Sequence, residues 1–296
     1  MDNALLAKAL IKGSIESHIH CSPDVFPRLL NDIEIAGQAK DAGMSAILIK
    51  SHVGCTAGRA GIATYVSGLP VYGGIALNHP VGGLNPEAVR VSIEMGAKKV
   101  WMPTIHAEYY LRTPDAVPMF GSQINNISGI RLINSDKSLK DELKRIVELV
   151  AKADIALGTG HISPEEALIL AEYASANGVS KVVITHPTSP MMRYTPDEIK
   201  EAIARGARFI EQCFGDTTIQ MKSPVPASLI ADTVRLVGAD RNILSTDTGQ
   251  VINPPPVEAM EIYIKMMLDN EIPEEDIRIM TSDNPAIMLG LQAKRE

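Results

Sequence analysis

The sequence predicts an α/β fold, a single-domain (β/α)8 TIM barrel over residues 1–296, and three observations carry that prediction. Strand-like runs alternate with helix-like stretches from end to end. The runs are rich in Val, Ile and Leu, as strands of a parallel sheet covered by helices are. Eight such units in about 250 residues match the size of a closed barrel. An open doubly wound sheet is the alternative that the same alternation allows.

The elements follow in order. MDNALLAKALIKG carries Asp2, Lys8 and Lys12 inside its apolar pattern and reads as a short amphipathic helix, not a signal peptide. The candidate strands are Ser14–His20, Ser45–Lys50, Val71–Leu77, Lys99–Thr104, Asp154–Gly158, Lys181–Thr185, Arg208–Cys213 and Asn242–Thr246. The helix-like stretches between them include Asp32–Ala42, Pro86–Met95, Leu139–Ala153, Pro164–Asn177, Pro196–Arg205 and Ala227–Val237. Several open on Pro or close at Gly, as in Ser163-Pro164 and Asn177-Gly178. Three connections are long: His106–Ser138, Phe214–Pro226 and Thr248–Pro256. All follow strands, so in a barrel they lie on the face that carries the active site. Gly129–Ile133 reads as a small extra strand, and a helical tail ends the chain.

Composition narrows the function classes. Hydrophobic residues make up 45% and charged residues 21%, an ordinary globular balance. A net charge of −7 with no basic block argues against a nucleic-acid partner. No apolar stretch reaches the 18 or so residues of a membrane span, and the chain is expected in the cytoplasm. Cys21, Cys55 and Cys213 form no CxxC pair and no disulfide framework. A small-molecule substrate is the expected partner, and a homo-oligomer is allowed for.

The seven histidines, His18, His20, His52, His79, His106, His161 and His186, each lie at or within three residues of the C-terminal end of a candidate strand. Scattered histidines would not gather there. In SIESHIH, strand parity puts Glu16, His18 and His20 on one face, toward the barrel, with Ile15 and Ile19 on the other, against helices. Two imidazoles at one strand end can chelate one ion, and imidazole suits zinc and similar metals. His161, His186 and Asp247 end or follow later strands, the last in ILSTD.

HxH on the first strand, His after the fifth, His on the sixth and Asp on the eighth, in that order, resemble the amidohydrolase superfamily of metal-dependent hydrolases. The tail from Thr281 to Ala286, ending in Leu289-Gly290-Leu291, is similar to that of many members. The resemblance implies a divalent metal, zinc first, as one or two ions on His18, His20, His161, His186 and Asp247. Asp247 would then act as general base and acid. Members with two ions place a bridging carboxylated Lys or a Glu on the fourth strand, where this chain offers only His106 and Glu108. Its strand-end lysine is Lys50, on the second strand and on the face of Leu48 and His52. It is the candidate bridge, or a partner for a substrate carboxylate.

The expected reaction is hydrolysis of an ester, amide or related bond in a small molecule. His52, His79, His106, Arg112 and Arg193 are expected to bind the substrate, with Tyr109 beside them, and the arginines suggest an anionic one. Glu211 and Cys213 share an inward face, Glu211 as a partner that orients a ligand histidine. A lyase of decarboxylase or hydratase type, a multi-metal phosphoesterase and a non-catalytic binding barrel are the competing readings.

Overall fold

The computed structural model describes residues 2–113 and 127–291. Its strands are β1 (Ile15–His20), β2 (Ala46–Lys50), β3 (Val71–Tyr72), β4 (Gly74–Ala76), β5 (Lys99–Trp101), β6 (Ala156–Gly158), β7 (Val182–Thr185), β8 (Phe209–Cys213) and β9 (Asn242–Ser245). They pair in sequence order, all parallel, as β1-β2-β3 and β4-β5-β6-β7-β8-β9. β3 and β4 are one stave broken at Gly73, which makes eight staves.

Two seams join these sheets. At the first, the Thr56 hydroxyl donates to Ile49 O at 2.7 Å and accepts from the Gly74 N–H at 2.8 Å, while the Thr56 N–H donates to Gly74 O at 2.9 Å. At the second, the Asp247 N–H donates to His18 O and the His20 N–H to Thr248 O, both at 2.8 Å, and the barrel closes. Gly249 then crosses β1 so closely that a Cβ would collide with His20 O, and its φ of +124° is one that glycine alone adopts freely. Thr56 is wholly buried. Thr56→Val keeps its shape but strands backbone groups, so it is expected to cost about 1–3 kcal/mol in urea unfolding. An unchanged midpoint would mean that the seam holds without the hydroxyl.

The outer layer is α1 (Asn3–Leu10), α2 (Asp32–Asp41), α3 (Ala57–Ser67), α4 (Pro86–Glu94), α5 (Glu108–Arg112), α6 (Asp141–Ala153), α7 (Pro164–Ala176), α8 (Pro196–Ala204), α9 (Ala227–Val237), α10 (Pro256–Asp269), α11 (Glu274–Arg278) and α12 (Asn284–Leu289). Capping boxes fix three starts: Asn31 with Glu34, Ser163 with Glu166 and Thr195 with Glu198. Pro86, Pro164 and Pro196 occupy first-turn positions where no N–H is needed. Among the described residues no helix is long and apolar enough to cross a membrane.

Inside the barrel an apolar floor of Ile15, Ala46, Leu48, Ala76, Trp101, Ala156, Val183, Phe209 and Ile243 rests on Ala286, Met288 and Leu289 of α12. Gly74 has no Cβ because Lys99 O and the Trp101 ring occupy that space. The floor excludes water from beneath the mouth.

Three expectations need correction. The parity of β1 breaks at a register shift between Glu16 and Ile19. Ile15 joins the inner floor while Ile19 packs on the helices. The Glu16 carboxylate turns to the seam, where it accepts from the His18 N–H at 2.9 Å and the Thr246 N–H at 3.1 Å. Gly129–Ile133 forms isolated bridges, Ala107 with Ile130 and Ile133 with Leu139, not a strand. The fourth stave ends at Trp101, short of the expected Thr104.

Candidate metal centre

β1 and the residues after β9 bring the central group together. Asp247 Oδ1 lies 3.1 Å from His18 Nε2 and 3.0 Å from His20 Nε2, all three side chains nearly or wholly buried. Among the described residues, His18, His20 and Asp247 form one group able to hold an ion, and His18, Glu211 and Cys213 a second that shares His18. Glu211 Oε2 lies 3.3 Å from His18 Nδ1. A proton on Nδ1, the ring nitrogen nearer that carboxylate, would leave the Nε2 lone pair for a cation.

His161 and His186 face each other across the mouth, Nε2 to Nε2 at 3.3 Å. The rings of His186 and His18 are 6.3 Å apart. His186 Nδ1 lies 3.6 Å from Asp216 Oδ1. Lys50 Nζ lies 2.8 Å from His18 Nε2, over the Trp101 ring. All five residues expected as ligands therefore line one mouth, with Lys50 among them.

The electrostatics favour ligand forms. Burial, then Arg28, pushes His20 well below the ordinary imidazole value. Burial, then His186, does the same to His161, and burial lowers His186 to about 4. These rings are neutral at pH 7. Burial would raise Asp247, but His18 and His20 outweigh it and hold the carboxyl well below its usual range. Burial brings Lys50 down to about 8. Glu211 resists burial through Lys99, 2.7 Å away, and through His18, and falls to about 2.

Backbone strain falls on two of the same residues. Asp247 has φ +51° and His186 φ +29°, conformations that cost of order 1–3 kcal/mol and gather at working sites. Neutral imidazoles, an anionic carboxylate and closely facing nitrogens are the donor set that a divalent ion such as zinc takes. The residues fit such an ion.

The remaining expectations divide. His52 stacks on His20 at 4.7 Å between centroids, with Nδ1 2.8 Å from Thr104 Oγ1, and belongs to the wall of the site. His79 and His106 form a separate pair, centroids 5.0 Å apart, in which the His79 N–H donates to His106 Nδ1 and His79 itself is exposed. The side chain of Arg112 is 75% exposed and pairs with Glu108 along α5. Arg193 is exposed, and its Nε donates to Pro190 O at 2.8 Å. The Tyr109 hydroxyl donates to Met192 O. Cys21 lies with Asp32 and Arg59, not with the ligands. The residue that sequence reasoning missed is Arg28, whose Nη2 lies 3.3 Å from His20 Nδ1. Its signal is its place in a proline-bounded loop just beyond the HxH pair.

The barrel has the same fold as solved structures described as an amidohydrolase, a lactonase and a dipeptidase. An amidohydrolase from Pseudomonas aeruginosa matches at TM-score 0.61 and 13% identity over 98% of both chains. A lactonase from Listeria monocytogenes matches at TM-score 0.62 and 16% identity, covering 96% of this chain and 95% of that one. A dipeptidase described as a metallo peptidase matches at TM-score 0.59 and 12% identity over 96% of this chain and all of its own. The chain itself belongs to the family of unknown function DUF6282, whose model matches residues 13–211. No curated protein matches it in sequence.

Proposed function

We propose that the protein is a metal-dependent hydrolase that cleaves an ester, amide or related bond in a small molecule. One observation carries the reading: a single oxygen of Asp247 faces Nε2 of both His18 and His20 in a buried mouth that also holds His161 and His186. A divalent ion there would supply Lewis acidity, acidifying water and polarising the scissile carbonyl. His18, His20 and Asp247 would hold one ion. His161 and His186 would hold a second, and Lys50, whose Nζ lies 2.8 Å from His18 Nε2, would be the bridge once carboxylated. Its amine reacts with carbon dioxide to give a carbamate and one proton. Asp247 accepts the proton of the attacking water and passes it to the leaving group. The solved structures named as amidohydrolase, lactonase and dipeptidase support the class of bond, and the N/O donor set supports zinc.

The test is metal content beside activity. Chelation with dipicolinate is expected to abolish hydrolysis of a lactone, amide and ester panel, and zinc to restore it. Mass spectrometry of the metal should find two ions per chain in the wild type and fewer in Lys50→Met. His18→Ala/His20→Ala should lose the first ion. Zinc content unchanged in that double variant would refute the centre, and release of carbon dioxide without bond hydrolysis would move the protein to the lyases.

A further inference from the structure

Arg28 stands in the connection between β1 and α2, and its guanidinium is wholly withdrawn from solvent, as is the carboxylate of Asp24. Nε and Nη2 both lie 3.0 Å from Asp24 Oδ2. Nη2 also lies 3.3 Å from His20 Nδ1. Nη1, though buried, has no hydrogen-bond partner. A guanidinium brings five donors and no acceptor, and buried donors are seldom left unmet in folded proteins.

The group is held where it is. The Leu29 N–H donates to Gly249 O at 2.9 Å, and Arg28 pairs with Gln250 in an antiparallel bridge. The guanidinium lies over the Phe26 ring at 5.5 Å, and that ring meets His52 edge-on. The loop after β1 is thus pinned to the loop after β9 directly beside the ligand histidines.

We propose that Arg28, which contacts His20 through Nη2, is the substrate-anion residue of this site and that the substrate carries a carboxylate, received by Nη1. The proposal deepens the metal-dependent reading above by naming its substrate class. The single unpartnered nitrogen suits a singly charged planar group better than a phosphate, which needs more donors.

A carboxylate also ligates zinc, so the test uses metal-free protein and reads binding, not turnover. Succinate, succinamide and inorganic phosphate are titrated by calorimetry into the wild type, Arg28→Lys and Arg28→Met. Succinate is expected to bind the wild type, at least tenfold more weakly to Arg28→Met and in between to Arg28→Lys, which keeps charge and bulk if the Met variant fails to fold. Succinamide and phosphate are expected to bind at least tenfold more weakly than succinate. The proposal falls if the wild type does not bind succinate, if both variants bind it as the wild type does, or if either other probe equals it. A failed hydrolysis panel with Arg28-dependent succinate binding would remove the reaction and keep the subsite; the reverse pattern would remove the subsite alone.

Discussion

Asp247→Asn is expected to lower turnover about 10²–10⁴-fold while zinc stays bound. An amide cannot accept the proton that the carboxylate takes, yet its oxygen can still face His18 and His20. Asn is also the substitution that the backbone tolerates, because φ is +51° here and Asn is among the few residues that enter that region readily. The Asp247 N–H bond to His18 O, which closes the barrel, is untouched. Steady-state kinetics with metal analysis on the same preparation decides it. Activity within tenfold of the wild type would show that another group moves the proton.

The largest expected effect on stability lies beneath the mouth. Lys99 and Glu211 are wholly buried and 2.7 Å apart. Lys99→Met leaves a carboxylate with little but His18 to meet it, and breaking a buried pair from one side typically costs about 3–5 kcal/mol. Adding Glu211→Gln removes the stranded charge and is expected to recover most of the loss. Urea unfolding of the two single variants and the double variant measures the coupling. A single-variant loss below about 1 kcal/mol, or no recovery, would mean that water reaches Glu211.

Much of this could be read from residue order. Apolar runs between Gly and Pro located the eight staves because burial on both faces leaves that composition. The histidines located the mouth because strand ends of a parallel barrel converge there. What escaped depends on backbone events and long-range packing. Nothing in SIESHIH announces the register shift that puts Ile15 inside and Glu16 at the seam. α3 escaped because Gly58 and Gly61 weaken its local helix signal, while packing of Ala57, Ala60 and Ala63 sustains it. Arg112 and Arg193 were attractive as loop cations, but α5 gives Arg112 a carboxylate one turn away. Arg28 had no motif of its own; the bridge to Gln250 on a distant loop gives it its place.

The seam between β1 and the end of β9 bears on how the molecule is made. His18 and Asp247 touch through backbone and side chain alike, and His20 reaches the same carboxylate across 227 residues of chain. Contacts of such long sequence separation form late and slow a chain's folding. During synthesis, a nascent chain with the first seven staves complete still lacks Asp247 and the edge that shuts the barrel. Such an intermediate would expose both the β1 edge and a half-made histidine cluster, and metal supplied then would meet ligands not yet held in place. Loading after closure is therefore the productive order, and refolding in excess zinc should give a lower active yield than refolding without metal followed by zinc addition.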